Sequence, residues 1–129
     1  MITHGIDMIE IKRIEKSMTS ETFVRRVFGK HELDELSQKK DCAQSAAACF
    51  CAKEAFGKAL GTGIREFALE EVEVLHDELG KPYLFLSGKA KQIADSMHMS
   101  FDLSITHTDE YAIASVIAFQ EEKPEVKNL

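Results

Sequence analysis

The segment that most constrains this chain runs through residues 41–63. Asp41-Cys42-Ala43-Gln44 has the form of a capping box, in which Asp41 accepts from the start of a helix and Gln44 reaches back, and Gly61 is a natural helix stop. The spacing predicts one long helix over residues 42–60. At about 100° per residue, Glu54, Lys58 and Gly61 fall within a narrow arc, with Cys49, Ala52, Phe56, Ala59 and Leu60 on the opposite side. A carboxylate and an ammonium thus share one face, either as an exposed ion pair worth roughly 0.2–0.5 kcal/mol or as part of a site. Gly57 needs a packing reason, because glycine inside a helix costs about 1 kcal/mol relative to alanine.

The other elements follow from periodicity. Residues 2–9 alternate Ile2, His4, Ile6 and Met8 with Thr3, Gly5, Asp7 and Ile9, the pattern of a strand. Aspartate is disfavoured inside strands, so Asp7 is either a turn or cap residue or has a functional reason to be there. Residues 9–18 take helical spacing, Thr19-Ser20 offers a cap for a second short helix ending at Gly29, and a third covers residues 30–37. Glu32, on that third helix, is a weaker site candidate. Residues 72–74 and 83–86 read as a hairpin across the 77–80 turn, and Ser87 as the cap of a helix over residues 88–97. A second hairpin joins strands 101–106 and 111–119. The last strand is apolar on both faces, which requires cover from helices or from another subunit. Helices early and strands late predict an α+β fold with an antiparallel sheet, a long central helix and several short helices.

A chain of 129 residues makes one domain, taken as residues 1–119 with a polar tail over 120–129. No stretch approaches the roughly 20 apolar residues of a membrane span, and the first residues lack a secretory pattern, so a cytoplasmic location with no membrane partner is expected. Cys42, Cys49 and Cys51 are too few and too clustered for a disulfide framework. The net charge of −6 argues against nucleic acid as a partner. Residues 12–30 depart from that balance: Lys12, Arg13, Lys16, Arg25, Arg26 and Lys30 stand against Glu15 and Glu21, a local +4. This island is either a solvated helix face or a dock for an acidic partner.

Three motifs occur in order: Gly5-Ile6-Asp7, then Phe50-x-x-Lys53-Glu54-Ala55-x-x-Lys58-Ala59-x-Gly61-Thr62-Gly63, then Ser104-Ile105-Thr106-His107. Together with the Gly80-Lys81-Pro82 turn and Arg13 they resemble the holo-acyl-carrier-protein synthase family of 4'-phosphopantetheinyl transferases. The resemblance implies that family's fold and a reaction in which a serine of apo acyl carrier protein attacks the β-phosphate of coenzyme A, releasing 3',5'-ADP. It further implies Mg²⁺ held by Asp7 and Glu54, and Lys58 beside the diphosphate. Asp7, Glu54 and Lys58 are then the catalytic residues; Lys58, Gly61, His107 and Thr108 bind coenzyme A, and Arg13 and Arg26 dock the carrier protein. The serine's proton could pass to Glu54 or to a metal-bound water. A homotrimer with sites at its interfaces is also implied. Relatives often carry arginine where this chain has Cys49, which implies a lost contact to the 3'-phosphate, with Lys39 or Lys53 as substitutes. The alternative reading is a non-catalytic adaptor that binds acidic carrier proteins.

Overall fold

A computed structural model describes residues 1–120. In chain order it contains β1 (Ile2–Glu10), α1 (Ile11–Ser17), α2 (Glu21–Val27), α3 (Lys30–Leu36), α4 (Cys42–Leu60), β2 (Val72–His76), β3 (Pro82–Leu86), α5 (Gly88–Ser96), β4 (Met99–His107) and β5 (Tyr111–Gln120). Two single 3-10 turns, Gly63–Arg65 and Leu69–Glu71, connect α4 to β2. The expected α+β class holds. Most of the expected polar tail lies outside the described residues, and Gln120 itself closes β5.

The strands form two antiparallel sheets. One has the order β1-β5-β4, with Ile2 opposite Phe119 and Glu10 opposite Tyr111, so the first strand of the chain pairs with the last. The other is the β2-β3 hairpin. Helix α4 lies across β1 and β5. Small residues make that approach possible: Ala52, Ala55 and Ala59 on α4 and Ala112, Ala114 and Ala118 on β5 are all buried. Gly5 takes this to its limit, because a side chain there would overlap the Ala55 carbonyl oxygen and come within 2.7 Å of the Ala59 nitrogen. Gly57 has the packing reason its position demanded, since a β-carbon would meet the Gly63 backbone at 2.6–2.7 Å.

The alternation in β5 is resolved by geometry. Ala112, Ala114, Val116 and Ala118 face α4 and are buried, whereas the opposite sheet face is open, leaving Ile2, Ile6, Met8 and Ile117 at 74%, 56%, 60% and 41% exposure. Among the described residues, helices therefore cover one side only.

Local chemistry at the helix ends differs from expectation in two places. Asp41 caps α4 by accepting from the Gln44 N–H at 3.1 Å, but the Gln44 side chain does not reach back; it bonds His107 instead. Ser87 makes no side-chain cap for α5. Glu71 does that work, one carboxylate oxygen accepting from the Lys89 N–H at 2.6 Å and the other from the Ala68 N–H at 2.8 Å. Ser20 caps α2 as expected, accepting from the Phe23 N–H. β1 runs one residue further than expected, to Glu10, and α1 begins at Ile11.

Candidate functional site

Asp7 belongs to the side of β1 that faces α4, and its side chain retains 19% exposure. It is no cap: it stands within the strand, paired with Ala114. Lys58, at 53% exposure, reaches back from α4 with Nζ 3.2 Å from Asp7 Oδ1 and donates to the Ile6 carbonyl at 2.9 Å. Glu54 lies one helical turn before Lys58 and is half-buried. Burial first, and then the charge of Asp7, push the Glu54 carboxyl above its usual range, with Lys58 pulling the other way. The strand and helix thus bring Asp7, Glu54 and Lys58 together, two acids against one ammonium. That surplus negative charge, in oxygen donors accessible to solvent, suits a hard divalent cation such as Mg²⁺. Cys51 borders the cluster as a neutral thiol, pushed up to about 12 by burial and then by Asp7.

One residue away the same helix does something different. Lys53 is fully buried, as is Glu32 of α3, and their charged atoms are 2.7 Å apart. Lys53 also donates to the Leu69 and Val72 carbonyls and sits 5.7 Å from the Phe28 ring centre. Glu32 accepts in addition from the Gly29 N–H at 3.1 Å and the Val74 N–H at 2.8 Å. Burial pushes the Glu32 carboxyl up, and Lys53 opposes it. This corrects two expectations. Glu32 is not at the acid cluster, and Lys53 cannot substitute for a phosphate-binding arginine, because all its donors are spent inside the protein.

His107 and Thr108 lie at the start of the β4-β5 turn, where Thr108 Oγ1 accepts from the Glu110 and Tyr111 N–H groups. His107 borders a cavity of about 310 Å³ whose wall includes Lys39, Gln44, Cys49, Gly80 and Pro82. Its carboxylates are already engaged: Glu32 with Lys53, and Glu35 with His76 at 3.0 Å. Lys39 is the cation among those considered for phosphate that faces this space, and Cys49 is held as a neutral thiol by burial. The His107 end of the cavity and the acid cluster lie at different points along α4. Gln44 and Glu54 are ten positions apart on α4, about 15 Å at 1.5 Å per residue.

Gly61 ends α4 in the left-handed region at φ 83°, with open space beside it, and the Gly63 backbone of the same loop packs against Gly57. Arg13 on α1 and Arg26 on α2 are exposed, and neither forms an ion pair among the described residues. The sequence reading missed Gln44 as a partner of His107, because the two are 63 positions apart and no local pattern links them.

An antiparallel sheet with one long helix laid over it, bringing two acids and a lysine together at the crossing, defines a small α+β protein with a solvent-reached charged cluster. The profile of the 4'-phosphopantetheinyl transferase superfamily matches residues 3–116, and the chain belongs to that superfamily. It is 44% identical over 116 residues to a holo-[acyl-carrier-protein] synthase of Alkaliphilus oremlandii, covering 88% of this chain and 95% of that one. Among solved structures, the holo-[acyl-carrier-protein] synthase of Neisseria meningitidis superposes with a TM-score of 0.86 at 32% identity, covering 93% of this chain and 100% of the other. The Bacillus anthracis synthase in complex with CoA (3',5'-ADP) superposes at 0.78 with 34% identity, over 92% and 96% of the two chains. Among the described residues no helix is long and apolar enough to cross a membrane.

Proposed function

We propose that this chain transfers the 4'-phosphopantetheine group of coenzyme A to a serine of apo acyl carrier protein in fatty acid biosynthesis. The serine hydroxyl gives up its proton to Glu54 or to a water as its oxygen forms a bond to the β-phosphorus, the bridging P–O bond breaks, and 3',5'-ADP leaves. The observation that carries this reading is the convergence of Asp7, Glu54 and Lys58 on one solvent-reached spot, in a chain similar over most of its length to a synthase solved with coenzyme A.

Asp7 and Glu54 fit a magnesium ion, since each offers oxygen donors and their mutual repulsion is relieved by a cation. When bound, that ion neutralises charge on the diphosphate. Lys58 needs only to turn from the Asp7 carboxylate to meet the diphosphate from the same side, where its charge favours the transition state over the ground state. Gly61 closes the helix beside it. Incubating the chain with apo carrier protein, coenzyme A and Mg²⁺, and reading serine modification by mass spectrometry, tests the assignment. Glu54→Ala is expected to slow transfer by about 10²–10³-fold. Full-rate transfer by that variant removes the metal role, and its absence in the unaltered chain favours the adaptor reading.

Two surfaces complete the proposal. The exposed arginines Arg13 and Arg26 dock the acidic carrier protein. The open apolar face around Ile2, Ile6, Met8 and Ile117 packs against further copies, giving a cytoplasmic homotrimer in which the acid cluster of one copy meets the His107 cavity and the neighbouring Thr108 of the next. The separation of about 15 Å along α4 supports sharing of the site between chains. Glu54→Ala and His107→Ala chains, each weak alone, should recover activity when refolded together. No recovery above the mean of the separate variants would place the whole site in one chain.

A further inference from the structure

We infer that Gln44 is a positioning residue that fixes the tautomer of His107, so that the imidazole presents Nε2–H as a neutral donor to coenzyme A in the cavity. The inference deepens the proposed function and rests on it for the identity of the ligand. Gln44 Nε2 lies 2.8 Å from His107 Nδ1. With the amide nitrogen turned to the ring it can only donate, so Nδ1 accepts, and the single ring proton of a neutral imidazole then resides on Nε2. The Thr108 carbonyl lies 3.4 Å from the same Nδ1 and would accept from it in the other tautomer, a longer and weaker contact than the 2.8 Å bond to Gln44.

Both partners line the same cavity and are held by different elements. Gln44 stands in the first turn of α4, where Asp41 caps its backbone N–H, and His107 ends β4 with its register to Ala112 set by the sheet. The hydrogen bond therefore ties the start of the central helix to the turn that carries Thr108. With Nδ1 occupied, the ring cannot accept through that nitrogen, and Nε2 is left as its donor towards a ligand rich in acceptors, such as a phosphate or a nucleobase. A cavity whose acids are already paired with Lys53 and His76, and which is faced by Lys39, has the same preference.

Nitrogen-15 NMR of the histidine rings in the ligand-free chain reads the tautomer directly. The expected result is protonated Nε2 and bare Nδ1 in the unaltered protein, and a mixture of tautomers in Gln44→Leu, which keeps the side-chain volume and leaves the Asp41 cap intact. Calorimetry with coenzyme A should show binding weakened about three- to tenfold in Gln44→Leu, the loss of one oriented neutral hydrogen bond. The transfer rate at saturating coenzyme A should stay within about twofold. A proton on Nδ1 in the unaltered chain overturns the inference, as that result means the amide presents its oxygen instead. So does an unchanged tautomer in Gln44→Leu, or an altered tautomer with unchanged coenzyme A affinity. Because tautomer and affinity are read without turnover, a chain that binds coenzyme A but transfers nothing would defeat the proposed function and leave this test standing.

Discussion

Lys53 and Lys58 sit on the same helix, each beside a carboxylate, and meet opposite fates. Lys53 and Glu32 are entirely enclosed, and every donor and acceptor between them is used by the partner or by backbone groups of α3, β2 and the turn before β2. Lys58 and Asp7 are partly open, and Glu54 adds a second acid that the lone ammonium does not balance. Charge becomes structure where its hydrogen bonds are saturated inside the protein. It becomes a site where acids outnumber cations and solvent can deliver what is missing.

The comparison breaks most visibly at Lys53. Lys53→Ala leaves Glu32 buried without its counter-charge and should cost about 3–5 kcal/mol in urea unfolding. The double change Lys53→Met with Glu32→Leu should recover most of that loss, because paired apolar replacements remove both desolvation penalties. A double variant as unstable as the single one would show that the bonds to the Leu69 and Val72 carbonyls, rather than the ion pair, hold this corner together. Further out, Arg13→Glu should raise the carrier-protein KM about tenfold, near 1.4 kcal/mol, while coenzyme A binding is unchanged. An unaltered KM would return the basic face to a solvated helix.

The smallest effect sharpens the comparison at the open cluster. Glu54 binds its proton more tightly folded than unfolded, so stability should fall as pH rises from the ordinary value of 4.5 through the raised folded value. Glu54→Gln removes that fall. In metal-free buffer at neutral pH it should melt slightly higher than the unaltered chain, even though it loses activity. A lower melting temperature would mean that the Glu54 charge supports the fold.

How far these features were legible depends on range. The α4 boundaries at Asp41 and Gly61 rest on bonds within four residues and could be read from spacing. Asp7 stood out because aspartate is misplaced in a strand. Lys53 and Lys58 could not be told apart by type or by helix position, and Lys53 was assigned a phosphate role that its burial forbids. Glu71 as the cap of α5 and Gln44 as the partner of His107 were missed because 18 and 63 positions separate the groups that meet.

While the family resemblance singled out Asp7, Glu54 and Lys58, patterning and backbone preference alone determined the order of helices and strands and the single long helix. Those are local quantities, set by dihedral preference, capping and the period of apolar side chains. The tertiary structure decided which lysine is sealed and which is open, which side of β5 is covered, and which side chain bonds His107. These depend on what lies across a contact, and a contact between distant parts of the chain leaves no period in the sequence to read.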